Sequence, residues 1–263
     1  MYKEEGVFVK RVIAVANQKG GVGKTTTTVN LSACLAQAGK KVLVADMDPQ
    51  GNTTSGLGVD KHSVEHSIYS LLLGDTFWEK VAVNVENIEN LQLLPSNIDL
   101  SGAEIELIDQ TRREYRLREV FNHAKYLFDY IIIDCPPSLN LLTLNALCAA
   151  DTILVPIQCE YYALEGLSQL MHTIKLVKGK LNPRLEIEGA VFTMYDSRTS
   201  LSAQVVDEVK ANLDAHTYKT IIPRNVRLSE APSHGKPITL YDSKSKGAEA
   251  YMELAKEVIA KVF

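Results

Sequence analysis

Residues 19–26 read Lys19-Gly20-Gly21-Val22-Gly23-Lys24-Thr25-Thr26. They stand between a short apolar run, Val12–Ala16, and a stretch with helical spacing of apolar positions, Thr25–Ala38, which Gly39 ends. A glycine-rich loop in that setting is a phosphate cradle. The backbone N–H groups of Gly20, Gly21, Val22, Gly23 and Thr26 can turn inward, and the helix N-terminus adds the positive end of its dipole. Lys24 is then placed to pair with the β- and γ-phosphates of a nucleoside triphosphate, and the Thr25 hydroxyl to ligate Mg²⁺. A dinucleotide-binding turn is the competing reading, with Asp46 as its ribose acid. That pattern, G-x-G-x-x-G, needs a third glycine at position 26, where Thr26 stands, and it has no use for Lys24 and Thr25.

Working outward, apolar runs alternate with helical stretches. Lys41–Asp46, Tyr130–Asp134, Thr152–Ile157 and Ile187–Thr193 read as strands, and Ser138–Ala150, Leu164–Val177, Ser202–Leu213 and Ala248–Val262 as helices. Near-continuous apolar strands separated by helices predict an α/β fold, a mostly parallel twisted β-sheet with helices on both faces. Ligands of such sheets sit at the carboxyl ends of the strands. Two acidic motifs fall there. Asp46-Met47-Asp48-Pro49-Gln50-Gly51-Asn52 follows the second strand, and Asp134-Cys135-Pro136-Pro137-Ser138 ends the Tyr130–Asp134 strand. Carboxylates beside phosphates need a metal or lysines to offset them, so Thr25, Asp48 and Asp134 are the candidate Mg²⁺ side chains. Taken alone, Asp48-Pro49 is also an ordinary turn.

The whole-chain numbers exclude several classes. With 263 residues, 46% hydrophobic and 23% charged, the chain suits one soluble α/β domain over residues 11–263, preceded by an arm over 1–10. The arm has acids ahead of its apolar patch and no small-residue cleavage site, so a signal peptide is not expected. No run of about 18 apolar residues offers a membrane span. Cys34, Cys135, Cys148 and Cys159 form no C-x-x-C pair, and the six histidines show no ligand spacing, so zinc and a redox motif are not expected. The net charge is −4. It is unevenly spread: Lys219–Gly247 holds six basic residues and two acids, an excess of +4, which leaves −8 elsewhere.

The loop departs from the ordinary G-x-x-x-x-G-K-[ST] pattern, because Gln18 stands at its first glycine and Lys19 is an added lysine. Lys19–Thr26 resembles the deviant Walker A signature of the P-loop superfamily. The rest of the chain, over residues ~11–260, is similar to the ParA/Soj chromosome- and plasmid-partitioning ATPases. The similarity includes Leu57-Gly58, Glu160-Tyr161-Tyr162-Ala163-Leu164-Glu165-Gly166 and Ile222-Pro223-Arg224-Asn225-Val226-Arg227-Leu228-Ser229-Glu230-Ala231-Pro232-Ser233. The resemblance implies a slow, partner-stimulated Mg-ATPase (ATP and water to ADP and phosphate). Lys19 would act across an ATP-dependent homodimer, Lys24 would act in its own subunit, and Asp48 would position the attacking water. Pro223 and Asn225, with Met194, would lie against the adenine. Arg198 and Arg227 match arginines that the family uses for DNA, sharing a face with Lys236, Lys244 and Lys246.

On this reading the dimer binds double-stranded DNA without sequence preference, a ParB/Spo0J-type protein stimulates it, and it is cytoplasmic and nucleoid-associated. The local +4 excess supports a phosphate-binding patch, although each lysine alone reads as a solvated charge. The acidic arm is where the chain departs from the family; without an added DNA-binding domain it matches the short chromosomal form. The alternative is a MinD-like, membrane-associated division regulator, for which the last helix would be the anchor. That helix lacks the clustered lysines and bulky apolar tail of such anchors, and docking onto the sheet is expected instead. A metal-cluster carrier of the same superfamily would need paired cysteines that the spacing does not offer.

Overall fold

Eight strands form one sheet: β1 Arg11–Val15, β2 Val42–Asp46, β3 Val83–Asn84, β4 Leu91–Leu94, β5 Tyr130–Asp134, β6 Thr152–Gln158, β7 Glu186–Tyr195 and β8 Thr217–Pro223. Their order across the sheet is β3-β4-β2-β5-β1-β6-β7-β8. Every pairing is parallel except that of β3 with β4. This computed structural model describes residues 11–161, 163–213 and 217–261. The expected arm, Tyr162 of the Glu160–Gly166 motif, and Val262 at the end of the expected last helix lie outside the described residues.

β1, β2 and β5 are buried at all five positions, as unbroken apolar sequences between two helical layers must be. Successive side chains of a strand point to opposite faces, so each strand feeds two cores. Ala14, Leu43, Ala45, Ile131 and Ile133 face one layer, packing with Phe121, Leu142 and Leu170. Ile13, Val15, Val42, Val44 and Ile132 face the other, with Leu31, Leu35 and Leu254. The last helix, Lys246–Ala260, buries Tyr251, Leu254, Ala255 and Val258 against the Lys24–Gln37 helix and β8. It therefore docks on the body, as the sequence suggested, and among the described residues no helix is long and apolar enough to cross a membrane.

The boundaries differ from the sequence reading for local reasons. The helix expected from Ser138 begins at Leu141, because Asn140 is its cap and accepts from the Thr143 N–H at 3.0 Å. The helix expected over Ser202–Leu213 spans Ser200–Asn212 behind the Thr199 cap, and that expected over Leu164–Val177 spans Ala163–Lys180. The strands β3, β4 and β8 escaped the sequence reading. β3 and β4 have two and four residues, and β8 is a half-exposed edge with no continuous apolar run.

At the sheet end away from the phosphate loop lies a buried polar knot. The Glu188 carboxylate accepts from Arg11 Nη1 at 2.9 Å, Tyr218 Oη at 2.8 Å and Thr152 Oγ1 at 2.7 Å, tying β1, β6, β7 and β8 together. Glu188 has no solvent exposure and Arg11 only 4%. Removing one member of such a pair strands a buried charge, so Glu188→Ala is expected to cost about 3–5 kcal/mol in urea unfolding. A loss under about 1 kcal/mol would show that the knot contributes little to stability.

Candidate functional site

The loop after β1 is held from three sides. The Asn17 side chain donates to the Pro156 carbonyl at 2.8 Å and accepts from the Lys19 N–H at 3.0 Å, which fixes the loop's start between β1 and β6. Thr193 Oγ1, on β7, donates to the Val22 carbonyl at 2.8 Å and pins its crown. Gly23, at φ 87°, caps the following helix in the left-handed region, where a side chain would be strained. Lys24 opens that helix, and its ammonium donates to the Lys19 carbonyl at 3.1 Å. Burial lowers the Lys24 pKa, and the charges of Asp134 and Asp48 partly offset this. A buried cation close to two acids is suited to accept further negative charge from phosphate oxygens.

The carboxylates stand at the ends of adjacent strands. Asp46 and Asp134 are register partners across β2 and β5, and both are fully buried. One oxygen of Asp134 accepts from Thr25 Oγ1 at 2.8 Å and from Thr53 Oγ1 at 2.7 Å. Asp46 is braced by the Thr54 N–H at 2.8 Å, the Thr54 hydroxyl at 2.7 Å and the Asp48 N–H at 3.2 Å. Burial pushes both carboxyls above the usual range. Asp134 adds to the shift of Asp46, and Asp48 adds to that of Asp134. Asp46 is therefore an internal brace and cannot reach a ribose, which closes the dinucleotide reading. Asp48 lies at the half-buried rim, where its carboxylate accepts from the Gln50 N–H at 2.9 Å. Gly51, at φ 60°, completes this turn where a Cβ would meet the Ser96 carbonyl at 2.8 Å.

Hydroxyl and carboxylate oxygens are the donors that Mg²⁺ takes, usually one or two from protein and the rest from phosphates and water. Thr25, Asp134 and Asp48 fit that pattern. Among the described residues no group of three His, Cys, Asp or Glu side chains could hold an ion unaided. The cation would thus arrive with the phosphates, and its charge would relieve the cost of two buried acids. All four cysteines are buried, and burial raises each thiol's pKa, so none is a ready nucleophile.

Beside the loop a cavity of about 320 Å³ joins Gly23 and Thr26 to Met194, Pro223 and Asn225. The three base-side candidates thus line one space that continues from the phosphate cradle. Met194 is held at φ 52°, unusual for a non-glycine residue. Asn225 caps the short Val226–Glu230 helix, accepting from the Leu228 N–H at 3.3 Å.

The basic candidates lie at the surface, and the structure sets acids against the arginines. Arg198 forms a two-point contact with Asp196, at 2.9 and 2.7 Å. Arg227 pairs with Glu230 at 2.9 Å and Asp242 at 3.4 Å. Lys236, Lys244 and Lys246 are exposed and make no ion pair among the described residues. Lys19 reaches the Glu160 carboxylate at 3.6 Å, and Arg224 reaches it at 3.9 Å. Glu160 appears in the sequence motif but had no assigned part. Asn17, Thr53 and Thr193 were missed altogether, since a lone amide or hydroxyl carries no spacing signal and is found only through its partner across the sheet.

Removing the Thr53 hydroxyl should loosen Asp134 without touching the loop. Thr53→Val is expected to weaken Mg²⁺-dependent ATP binding about 10- to 100-fold, the usual effect of losing a group that orients a metal ligand. Titration with a fluorescent ATP analogue checks this, and unchanged affinity would remove Asp134 from the metal role.

The AAA domain family model matches residues 10–187. The sporulation initiation inhibitor protein Soj of Bacillus subtilis is 58% identical over 250 residues, covering 95% of this chain and 98% of that protein. The chromosome partitioning protein ParA of Myxococcus xanthus is 55% identical over 251 residues, covering 95% and 88%. Among solved structures, a protein from Mycobacterium smegmatis described as cobyrinic acid a,c-diamide synthase, with bound ATP analogue and magnesium, superposes with a TM-score of 0.83. It is 43% identical and covers 94% of this chain and 93% of its own. The two-lysine loop, the acids at the ends of β2 and β5 and these near full-length likenesses together make the chain a member of the ParA/Soj family of chromosome-partitioning P-loop ATPases.

Proposed function

We propose that this chain binds Mg-ATP in the cleft between residues 19–26 and the Met194–Asn225 cavity, and that ATP closes two copies into a dimer that holds DNA. The observation that carries the reading is the juxtaposition of Lys24, Thr25 and Asp134 at the cavity's edge, where a triphosphate and its cation complete the charge balance. Lys24 grips the β- and γ-phosphates, and Thr25 and Asp134 hold the cation's side of the site. Asp48, at the rim, orients the water that attacks the terminal phosphorus. Bound Mg²⁺ would supply charge neutralisation of the leaving oxygens.

Lys19 is the group that senses a second copy. Its pairing with Glu160 is a surface interaction of small energy. A partner's triphosphate, with more charge in a less hydrated space, would outcompete it. The dimer doubles the patch of Arg198, Arg227, Lys236, Lys244 and Lys246, and binding to duplex backbone grows with each added phosphate contact. Arg198 and Arg227 would exchange their own acids for phosphates. A ParB/Spo0J-type protein speeds hydrolysis, and the ADP form separates and leaves the DNA, so that hydrolysis times a population shift.

Three variants separate the parts. Lys24→Ala is expected to lower ATP affinity at least about a hundredfold, or about 2.7 kcal/mol. Asp48→Ala should still dimerise with ATP while turnover falls about 10²-fold or more. Arg227→Ala should keep ATP binding, lose DNA retention about tenfold and flatten its salt dependence. Normal DNA binding by Arg227→Ala across a salt series would overturn the patch assignment. For the MinD-like alternative, ATP-dependent pelleting with liposomes and not with DNA would replace this reading.

A further inference from the structure

The sheet is irregular where β7 reaches the nucleotide side. Phe192 pairs with Ile221 and Tyr195 with Pro223, so β7 uses three steps where β8 uses two. The extra residue falls at Thr193 and Met194, and bulges of this kind re-aim side chains beside active sites. Regular alternation would send consecutive side chains to opposite faces. Here Thr193 and Met194 both line the cavity proposed for the base. Met194 is left-handed at φ 52°, a conformation that a residue with a side chain keeps only where its surroundings enforce it.

Thr193 also touches the phosphate loop. Its hydroxyl donates to the Val22 carbonyl at 2.8 Å, and its methyl carbon would lie 3.7 Å from a Cβ built on Gly23. Thr193 and Val22 are both buried, which strengthens this bond. In a planar trans peptide the carbonyl and the following N–H point in opposite directions. Turning the Val22 carbonyl toward Thr193 therefore aims the Gly23 N–H away from β7. The bulge is anchored on its far side as well. The Thr193 carbonyl accepts from the Cys159 N–H at 3.2 Å, and the Tyr195 carbonyl accepts from the Arg224 N–H at 2.9 Å. One bulge thus meets the base cavity, the Pro223–Asn225 turn that borders it, and the crown of the loop.

We propose that Thr193 is a positioning residue for phosphate binding, and that the bulge makes its hold on the loop answer to the base. A purine seated against Met194 and the Pro223–Asn225 turn stiffens residues 193–195. Thr193 then keeps the Val22–Gly23 peptide oriented so that the Gly23 N–H faces the phosphate oxygens. A polyphosphate without a base meets a crown that is held less firmly. Binding energy gained at the base is in this way passed to the reacting end of the nucleotide. Such coupling is reciprocal, so phosphate also tightens the hold on the base. The inference rests on the nucleotide reading above.

The test divides ATP into two ligands. Mg-pyrophosphate is titrated into the full chain by calorimetry, with and without saturating adenosine. In the parent, adenosine is expected to raise pyrophosphate affinity at least about fivefold. Thr193→Val keeps the shape of the side chain and removes its hydroxyl. It should bind Mg-pyrophosphate about three- to tenfold more weakly, the effect of one lost hydrogen bond, and adenosine should strengthen that binding less than about twofold. Thr193→Ser, which restores the donor, should recover both values.

Parent-like pyrophosphate affinity in Thr193→Val would overturn the positioning role, as would a Thr193→Ser protein that behaves like Thr193→Val. An adenosine effect of parent size in Thr193→Val would overturn the coupling, and so would a parent that binds both ligands with no mutual effect. The parent comparison decides the coupling even where Thr193→Val does not fold. Mg-ATP binding by the parent, measured alongside, separates the two levels of the reading. If the parent binds Mg-ATP, any of these results sinks only the inference; if it binds none of the three ligands, the nucleotide reading falls and the inference falls with it.

Discussion

One oxygen of Asp134 receives two hydroxyls, from Thr25 on the phosphate-loop helix and Thr53 on the short Asn52–Gly56 helix after β2. That shared acceptor joins three separate stretches of chain at the carboxyl edge of the sheet. It works because β5 lies between β1 and β2, which puts the loop, Asp46 and Asp134 side by side. Two buried acids in register are costly unless hydrogen-bonded and, in the working state, neutralised. Four threonine hydroxyls, those of Thr25, Thr28 and Thr53 on Asp134 and that of Thr54 on Asp46, meet the first need. A cation carried by phosphate meets the second.

The same economy explains the rim. Charged groups that are assigned to phosphates elsewhere are here parked on carboxylates of their own chain: Lys19 on Glu160, Arg198 on Asp196, Arg227 on Glu230 and Asp242. Exposed pairs of this kind are worth little, so they can be exchanged for a polyanion at small cost. The +4 excess counted along residues 219–247 already includes Glu230 and Asp242; Glu160, which Arg224 reaches at 3.9 Å, approaches from outside that window and tempers it further. The free chain is therefore less basic at this surface than its sequence suggests.

The fold was largely legible because its central strands are unbroken apolar runs and its loop motifs fall at their ends. Lys24, Thr25 and Asp134 could be named from spacing, and the structure brings them together. What sequence did not reveal depends on contacts across the sheet. Thr53 and Thr193 matter through partners that lie 81 and 171 residues away. β8 was invisible because an edge strand has no continuous apolar run, yet it carries Pro223 and the turn that presents Asn225. Asn140 and Thr199 set helix starts through side-chain caps, which apolar periodicity does not report.

The central claim is that the buried acids and Lys24 make a site for a triphosphate together with its cation. Calorimetric titration of ATP into the purified chain, in Mg²⁺ and again in excess EDTA, tests it most directly. The account predicts one nucleotide per chain, bound at least about tenfold more tightly with Mg²⁺ than without. Equal affinity in the two buffers, or no binding in either, would contradict it.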